Sequence, residues 1–385
     1  MDQGSHRKMI CRTWRRNRLE AEIRRPSILP LILMAYAAPL LGQEVRTDKE
    51  NPLTLSGYAE AYYIGDFNGP PVHRRPGFAY SHNRTDEASV NLALMRLGYD
   101  TERVRAGLGI ALGSYMKANY AAEPGGLKNL FEARVGLRVA ENHNVWVDVG
   151  VMPSHIGFES AVGKDNWTLT RSLLADNSPY FETGARISYT SPDGKWLVSG
   201  LILNGWQRIR GPAGNSLPSF GHQVTYRPNE RWTLNSSSFI GSDKSDEHRQ
   251  MRYFHNFHAQ FHLSSEWSLI AAFDIGAEQK EKGSSRYNVW FTPIAIARYA
   301  PTEKLSFALR GEYYQDRHGV IVGTGTPHGF RMLSYSLNMD YRILPNLLWR
   351  AEVRRFEGRD AIFATDDGTL TSDSTMATTA LAISF

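Results

Sequence analysis

Beyond residue 11 this chain of 385 residues contains no cysteine, since its single cysteine is Cys11. The body of the chain therefore has no disulfide framework and no thiol chemistry. No cysteine follows the apolar stretch near the start, which excludes a lipoprotein. The body also lacks any run of about 18 apolar residues, so a helical membrane protein is excluded. A transmembrane barrel is not, because only alternate residues of its strands face lipid. Charge of one sign is missing as well. Residues 1–42 hold eight basic and three acidic residues, and the rest of the chain holds 36 of each. The basic excess belongs to the leader, and no nucleic-acid footprint remains. There is no G-x-S-x-G, HExxH, Walker or GxGxxG pattern, so the sequence offers no catalytic constellation and no enzyme is expected.

What is present begins with a leader. A basic stretch carrying Arg12, Arg15, Arg16, Arg18, Arg24 and Arg25 precedes the apolar run Ile28–Leu41, followed by Gly42 and Gln43. This reads as a secretory signal cleaved after Gly42, leaving 43–385 as one domain.

The body resolves into sixteen segments with β pattern: 53–64, 88–100, 103–115, 129–140, 144–152, 180–191, 195–206, 217–227, 231–241, 251–263, 267–278, 288–300, 304–315, 330–342, 346–357 and 375–385. Most are long enough to cross a bilayer as tilted strands. Every second connection is tight, and the others are long: 65–87, 116–128, 153–179, 207–216, 242–250, 279–287, 316–329 and 358–374. A β-sandwich or propeller would explain many strands but not this alternation. Trimmed turns at one end and elaborated loops at the other describe an all-β, transmembrane, antiparallel up-and-down β-barrel of about 16 strands, with periplasmic turns and extracellular loops. An even strand number brings both termini to the short-turn side.

Tryptophans add to this reading. Trp146, Trp196, Trp232, Trp267 and Trp349 each follow a tight turn, while Trp206 and Trp290 adjoin long loops. Two interfacial girdles are expected, the outer one thickened by Tyr62, Tyr63, Tyr115, Tyr313 and Tyr314. Strand parity then assigns the faces. Phe131, Ala133, Val135, Leu137 and Val139 alternate with Glu132, Arg134 and Arg138; Val145, Val147, Val149 and Val151 flank Asp148; Phe181, Ala185, Ile187 and Tyr189 alternate with Glu182, Arg186 and Ser188; Leu347, Trp349, Ala351 and Val353 alternate with Arg350, Glu352 and Arg354. A midplane Arg or Lys in lipid costs roughly 2–4 kcal/mol, so the apolar parity faces lipid and the polar one the lumen. The polar set also takes in Glu60, Arg96, Asp274, Arg298, Arg310, Glu312, Asp340 and Arg342, enough charge to imply a hydrated interior. Strands 195–206 and 288–300 are apolar on both faces, and Pro293 removes a ladder donor.

The run Val149-Gly-Val-Met-Pro-Ser-His-Ile-Gly-Phe-Glu-Ser160 resembles a segment of the OmpL-like β-barrel porin family, and Thr170-Arg-Ser-Leu, Thr183-Gly-Ala-Arg-Ile-Ser-Tyr189 and Leu203-Asn-Gly-Trp206 follow in that family's order. The family usually has Lys where this chain has Val151. The chain also ends in an alternating strand closed by Phe385, which resembles the C-terminal assembly signal of bacterial outer-membrane barrels. The resemblance implies a Gram-negative outer-membrane porin, handled by the barrel-assembly machinery, in contact with outer-membrane lipid and lipopolysaccharide, and commonly a homotrimer. In sixteen-stranded porins the third long loop folds into the lumen. By that resemblance His155, Glu159, Lys164, Asp165 and Arg171 of loop 153–179 line a constriction facing Arg134, Arg138 and Arg186; the other arrangement is a surface flap with solvated charges.

The remaining clusters have ordinary explanations. His258 and His262, four residues apart on a strand, lie roughly 13 Å apart and read as lumen-facing polar residues rather than metal ligands, with His255 pointing the other way. Asp243, Asp246, Glu247 and His248, and Asp366, Asp367 and Asp373, read as solvated loop charge without the spacing of an EF-hand. No cofactor, metal or nucleic acid is expected. The function that results is passive diffusion of small hydrophilic solutes or ions, with arginine outnumbering acid on the polar faces. A substrate-specific channel is the alternative, for which Phe254, Tyr58 and Tyr62 would supply an aromatic slide; an outer-membrane barrel enzyme is a more remote one. Residues 43–52 are too few for the plug of a gated transporter.

Overall fold

The structure, a computed structural model, describes residues 51–385, so the leader read over 1–42 lies outside the described residues. Fifteen strands follow one another: β1 Leu53–Asp66, β2 Ala88–Asp100, β3 Val104–Leu112, β4 Leu130–Arg138, β5 Asn144–Pro153, β6 Phe181–Thr190, β7 Trp196–Leu203, β8 Ser219–Asn229, β9 Trp232–Gly241, β10 Arg252–His262, β11 Trp267–Gln279, β12 Tyr287–Tyr299, β13 Leu305–Asp316, β14 Phe330–Leu344 and β15 Leu347–Gly358. A small hairpin, β16 Phe363–Ala364 and β17 Leu370–Thr371, occupies the last long loop, and β18 Asp373–Ser384 ends the chain. Each of the sixteen segments read from sequence is a barrel strand, with ends shifted by at most a few residues. Neighbours in sequence pair antiparallel, and β18 pairs with both β15 and β1, which closes the barrel. Closure matters because an edge strand would leave unpaired N–H and C=O groups in hydrocarbon. Among the described residues no helix is long and apolar enough to cross a membrane.

Period two decides what faces outward. Val135, Leu137, Val149, Ile187, Leu309, Leu337 and Val353 are all about half or more exposed and form an apolar outer belt. Pro293 is accommodated on one side only. It pairs with Phe273 of β11, whereas the ladder to β13 skips from Phe291↔Gln315 to Ile294↔Glu312.

The girdle expectation divides. Trp196, Trp232, Trp267 and Trp349 are 39–48% exposed. The first three lie against Tyr226, Phe261 and Tyr299, making one aromatic belt at the short-turn end. Trp146 is not in it; parity turns it inward, where Arg105 lies over its ring at 4.3 Å. Trp206 and Trp290 do not form an outer girdle either. Trp290 is buried, and Trp206 packs edge-on against Phe239 and Phe254 inside the barrel. Tyr62, Tyr115 and Tyr314 are likewise buried, while Tyr63 is exposed. The reason is shared: long loops fold inward and cover the inner aromatic residues at that end. This also explains the doubly apolar strands. The inner face of β7 offers Leu201 and Leu203, and that of β12 offers Ile294 and Ile296, as packing surface for loop residues.

One local break in alternation sets the third long loop. Gly150 (φ 131°) and Gly184 (φ 156°) face each other across β5 and β6, a conformation that favours glycine. Beyond this pair Val151 and Phe181, on the outward parity of the sequence, are buried, and Phe181 stacks on Tyr120 at 4.1 Å.

Candidate functional site: an inward loop and an arginine wall

On the inner face of β2–β6 the alternating charges converge. Glu132 accepts from Arg96 and Arg134, each at 2.7 Å. Asp148 accepts from Arg105 at 2.5 Å, from Arg134 at 3.1 Å and lies 3.5 Å from Arg186. Both carboxylates are buried, whereas the arginine side chains retain 17–44% exposure. Arg138, bonded to the His143 carbonyl in the adjoining turn, is a fifth cation on this wall, and Glu182 of β6, tied to His155, is its third buried carboxylate. Arg105 was missed by sequence reasoning, although its parity signal was present: Val104, Ala106 and Leu108 alternate with it.

Loop 153–179 lies within the barrel and meets its walls on several sides. Leu169, Leu173 and Ile156 join a cluster with Leu201, Phe239, Trp290 and Phe356; Ala161 and Ala175 join one with Tyr58, Leu92 and Ala382; Leu174 joins one with Ile270 and Ile294. The polar ties are as extensive. Arg310 donates to the Thr170 carbonyl at 2.7 Å, Arg354 to the Arg171 carbonyl at 2.7 Å, and Arg350 to the Gly163 and Asn166 carbonyls at 2.6 and 2.8 Å. In return the Thr170 and Leu173 amides donate to Glu352 and Glu312, both at 2.6 Å, and the Leu169 amide to Asn338 at 2.9 Å. The wall charges also pair among themselves: Arg310 with Glu352 at 2.6 Å, Arg354 with Glu312 at 2.5 Å and Arg350 with Asp340 at 2.8 Å.

This corrects the expectation that these side chains line open water. Arg310, Glu312, Arg350, Glu352 and Arg354 are buried, and so is Glu182. Buried charge is tolerable when each group is paired and hydrogen-bonded, and the loop backbone supplies the missing partners. The loop's own residues divide in the same way. His155 is a tie, bonded to Glu182 at 2.8 Å and to the Ser238 carbonyl at 2.8 Å. Burial pushes its imidazole down, but the Glu182 carboxylate outweighs this and leaves it above the ordinary histidine value. Arg171 is buried and donates to the Ala161 and Leu169 carbonyls, so it faces no arginine wall. Glu159 caps Ser172 through its amide and hydroxyl at 2.9 and 2.8 Å. Only Lys164 and Asp165 are well exposed, at 42% and 47%. They border a cleft of about 220 Å³ with Arg298, Lys304, Asp340 and Arg342 at the short-turn end. A second cleft, about 330 Å³, separates the loop from the β2–β4 wall and is lined by Arg96, Glu132, Glu159 and Asp165. There, rather than at Arg310 or Arg350, loop and open wall approach each other.

The first long loop also enters. His82 meets Glu60 at 2.7 Å, Asn91 and Tyr58 donate to the same carboxylate, and the Ser81 amide donates to Asp176 at 3.2 Å. Burial pushes the Asp176 carboxyl up to about 6 against the pull of Arg75, Arg354 and Arg171. Apart from Tyr58 and Glu60, two residues apart on β1, these contacts join residues from separate segments, so no local pattern could have signalled them.

The remaining candidates are structural. His258 bonds Asn256 at 3.0 Å and His262 bonds Ser268 at 2.9 Å. Among the described residues no three or more His, Cys, Asp or Glu side chains converge as metal ligands. The acidic loop residues are used within their loops: Asp246 pairs with Arg249, and Asp367 accepts from Thr365 and Thr369. Phe254, Tyr58 and Tyr62 are buried, so they make no aromatic slide.

A closed sixteen-stranded barrel, with an apolar outer belt, a charged inner wall and an inward third loop, defines the class: an outer-membrane β-barrel porin. The profile of the family described as "Putative beta-barrel porin-2, OmpL-like" matches residues 52–385, and the chain belongs to that family. The fold is shared with an anion-selective porin from Comamonas acidovorans (11% identity, 86% of this chain and 99% of that one, TM-score 0.56). It is shared also with Salmonella typhi OmpF in complex with daunomycin (10%, 88% and 99%, 0.56) and with Vibrio cholerae OmpT in its trimer form (7%, 86% and 99%, 0.54). No curated protein matches the chain.

Proposed function

We propose that small hydrophilic solutes cross this porin passively through the space between loop 153–179 and the β2–β6 wall, with anions favoured. One observation carries the reading: five arginines on the partly open wall against the buried carboxylates Glu132, Asp148 and Glu182, the last already paired with His155. The arginine excess on that wall, set against Glu159 and Asp165 of the loop across the cleft, biases the local field toward anions. The Comamonas relative, anion-selective by its description, is a parallel. In planar bilayers under a salt gradient, the reversal potential is expected to have the sign of an anion-preferring pore. Arg96→Glu with Arg134→Glu should move it toward cations. Cation preference in the unaltered protein would refute the charge reading, and an absence of channels would refute passive transport itself. With Phe254, Tyr58 and Tyr62 covered, a substrate-specific channel loses its aromatic support.

Residues 1–42 act in this reading as an export signal, and 43–385 as the exported barrel, delivered to the assembly machinery through the periplasm. We also infer a homotrimer whose contact lies on the outer face of β8–β10. His222, Ser238 and His255 stand in one cross-strand row on the lipid-facing parity, with Ser236 beside them. Ser236 lies 2.9 Å from His255 and Ser238 2.5 Å from His222. Polar side chains are costly toward lipid, and a second copy would cover them. Ser236→Trp should convert trimers to monomers on semi-native gels while the heat-modifiable shift of the barrel persists. A wild type that is monomeric at all concentrations would dismiss this contact.

A further inference from the structure

We propose that a cavity among the long loops binds an uncharged sugar ring, a pyranose, at the outer mouth of the pore. The cavity, about 490 Å³, is bordered by the first, third, seventh and last long loops. Its size is that of a small-molecule site. None of its lining side chains carries a charge. The two clefts described above differ, being bordered by Arg96, Glu132 and Asp165 or by Lys164, Arg298 and Arg342. An ion entering the neutral cavity would lose water without gaining a counter-charge, which is costly. Yet the lining is not simply apolar. Tyr80, Thr324 and Thr326 bring hydroxyls to it, and Asn177 an amide. Asn177 donates through Nδ2 to the Leu173 and Phe78 carbonyls, and its Oδ1 is left without a donor among the described residues. Phe78, Ile321 and Ile362 supply the apolar part. A pyranose matches both sets, with hydroxyls around its edge and a C–H face for the apolar side chains.

The lining segments are each fixed by contacts of their own. Phe78 packs against Phe330, Phe356 and Phe363 with ring centroids 4.8–6.1 Å apart. The Asp316 carboxylate accepts from the Val320, Ile321 and Val322 amides at 2.7–3.0 Å. The Ile362 amide donates to the Thr371 carbonyl at 3.0 Å beside the β16–β17 hairpin. Walls held in this way spare a ligand the cost of ordering them. Two glycines, Gly77 and Gly323, keep the cavity open. Neither has a positive φ. A Cβ at Gly77 would meet nothing within 4 Å, and one at Gly323 only the Gly319 carbonyl at 3.9 Å. Backbone geometry therefore demands glycine at neither position, and what the missing side chains leave is space.

The test uses the whole barrel in an amine-oxide detergent, because alkyl glycosides would themselves present the ligand. The probes are methyl glucoside and methyl galactoside, methyl glucuronide as the same ring with a carboxylate, and benzyl alcohol as an apolar ring with a single hydroxyl. Binding is read by saturation-transfer NMR and calorimetry. The wild type should bind a neutral glycoside with a Kd in about the millimolar range. Gly77→Leu/Gly323→Leu, which narrows the cavity without straining the backbone, should weaken it at least about tenfold, and Tyr80→Phe severalfold. A wild type that binds neither glycoside would overturn the proposal, as would unchanged affinity in the glycine variant. If methyl glucuronide or benzyl alcohol binds as tightly and weakens alike in that variant, the assignment to an uncharged sugar is overturned. If the glycine variant does not assemble, judged by heat-modifiable mobility, Tyr80→Phe decides, and unchanged affinity there counts against the site. Single-channel conductance without sugar reports separately on the pore, so this proposal and the anion preference stand or fall apart.

Discussion

Excision of residues 160–176, with Glu159 and Asn177 rejoined through a short Gly-Ser bridge, is expected to raise single-channel conductance severalfold while the barrel still closes. The loop fills the interior through two kinds of contact, and they respond differently to its loss. Leu169, Leu173 and Leu174 are buried against the walls, each contributing roughly 1.5–3 kcal/mol that the shortened chain forgoes. Its melting temperature should fall. The wall charges fare better. Arg310, Arg350, Arg354, Glu312 and Glu352 lose backbone partners but meet water instead, and the pairs Arg310–Glu352, Arg354–Glu312 and Arg350–Asp340 remain. Glu352→Gln is the contrasting change. The loop is still present over the site, and Arg310 loses its 2.6 Å partner while the Thr170 amide loses its anionic acceptor. Breaking a buried pair from one side costs about 3–5 kcal/mol, because nothing rehydrates the remaining charge. The point variant should therefore loosen the loop, seen as noisier single-channel traces and faster proteolysis within 153–179. Unchanged conductance after excision would mean that the loop does not limit passage.

That contrast also marks what the sequence could reveal. Strand positions were legible because each strand must alternate to separate lipid from lumen, and Val135, Leu137 and Val353 obey that rule without help from distant residues. The alternation of tight and long connections was legible for the same local reason. Filling of the lumen was not. Arg310 and Glu352 look alike in sequence whether they face a channel or a buried loop backbone, and the choice depends on Thr170, which lies 140 residues before Arg310. Trp290 likewise carries the signature of an interfacial tryptophan, yet it is buried because Phe254 and inward loop residues reach it. Two signals were available and pointed to the right answer. The inner faces of β7 and β12 are apolar, which a water-filled lumen does not require but a packed loop does. Loop 153–179 itself carries Ile156, Phe158, Trp167, Leu169, Leu173 and Leu174, more apolar weight than a solvated flap needs.

Deletion of Phe385 is expected to cut the amount of assembled barrel by about tenfold in cells, an effect that needs only about 1.4 kcal/mol, while the barrels that form conduct as wild type. Phe385 closes the seam twice. Its amide donates to the Gly57 carbonyl at 3.0 Å, and its carbonyl accepts from the Gly57 amide at 2.7 Å. These are the last rungs between β18 and β1, and unpaired backbone groups at a membrane edge are costly. The side chain lies over Gly57, where any Cβ would have to push the ring aside. The ring is otherwise 66% exposed, open to recognition from outside. Three variants separate these roles. Phe385→Ala keeps both backbone bonds and removes the ring. Gly57→Val keeps the ring but forces it away. Deletion removes everything. If the ring is read by the assembly machinery, Phe385→Ala should fail in cells nearly as badly as deletion, yet refold normally in detergent. If the seam alone matters, Phe385→Ala should assemble in cells and deletion should be defective in both settings. Wild-type levels of the deletion variant in the membrane would eliminate both roles, since neither the ring nor the final pair of hydrogen bonds would then limit closure.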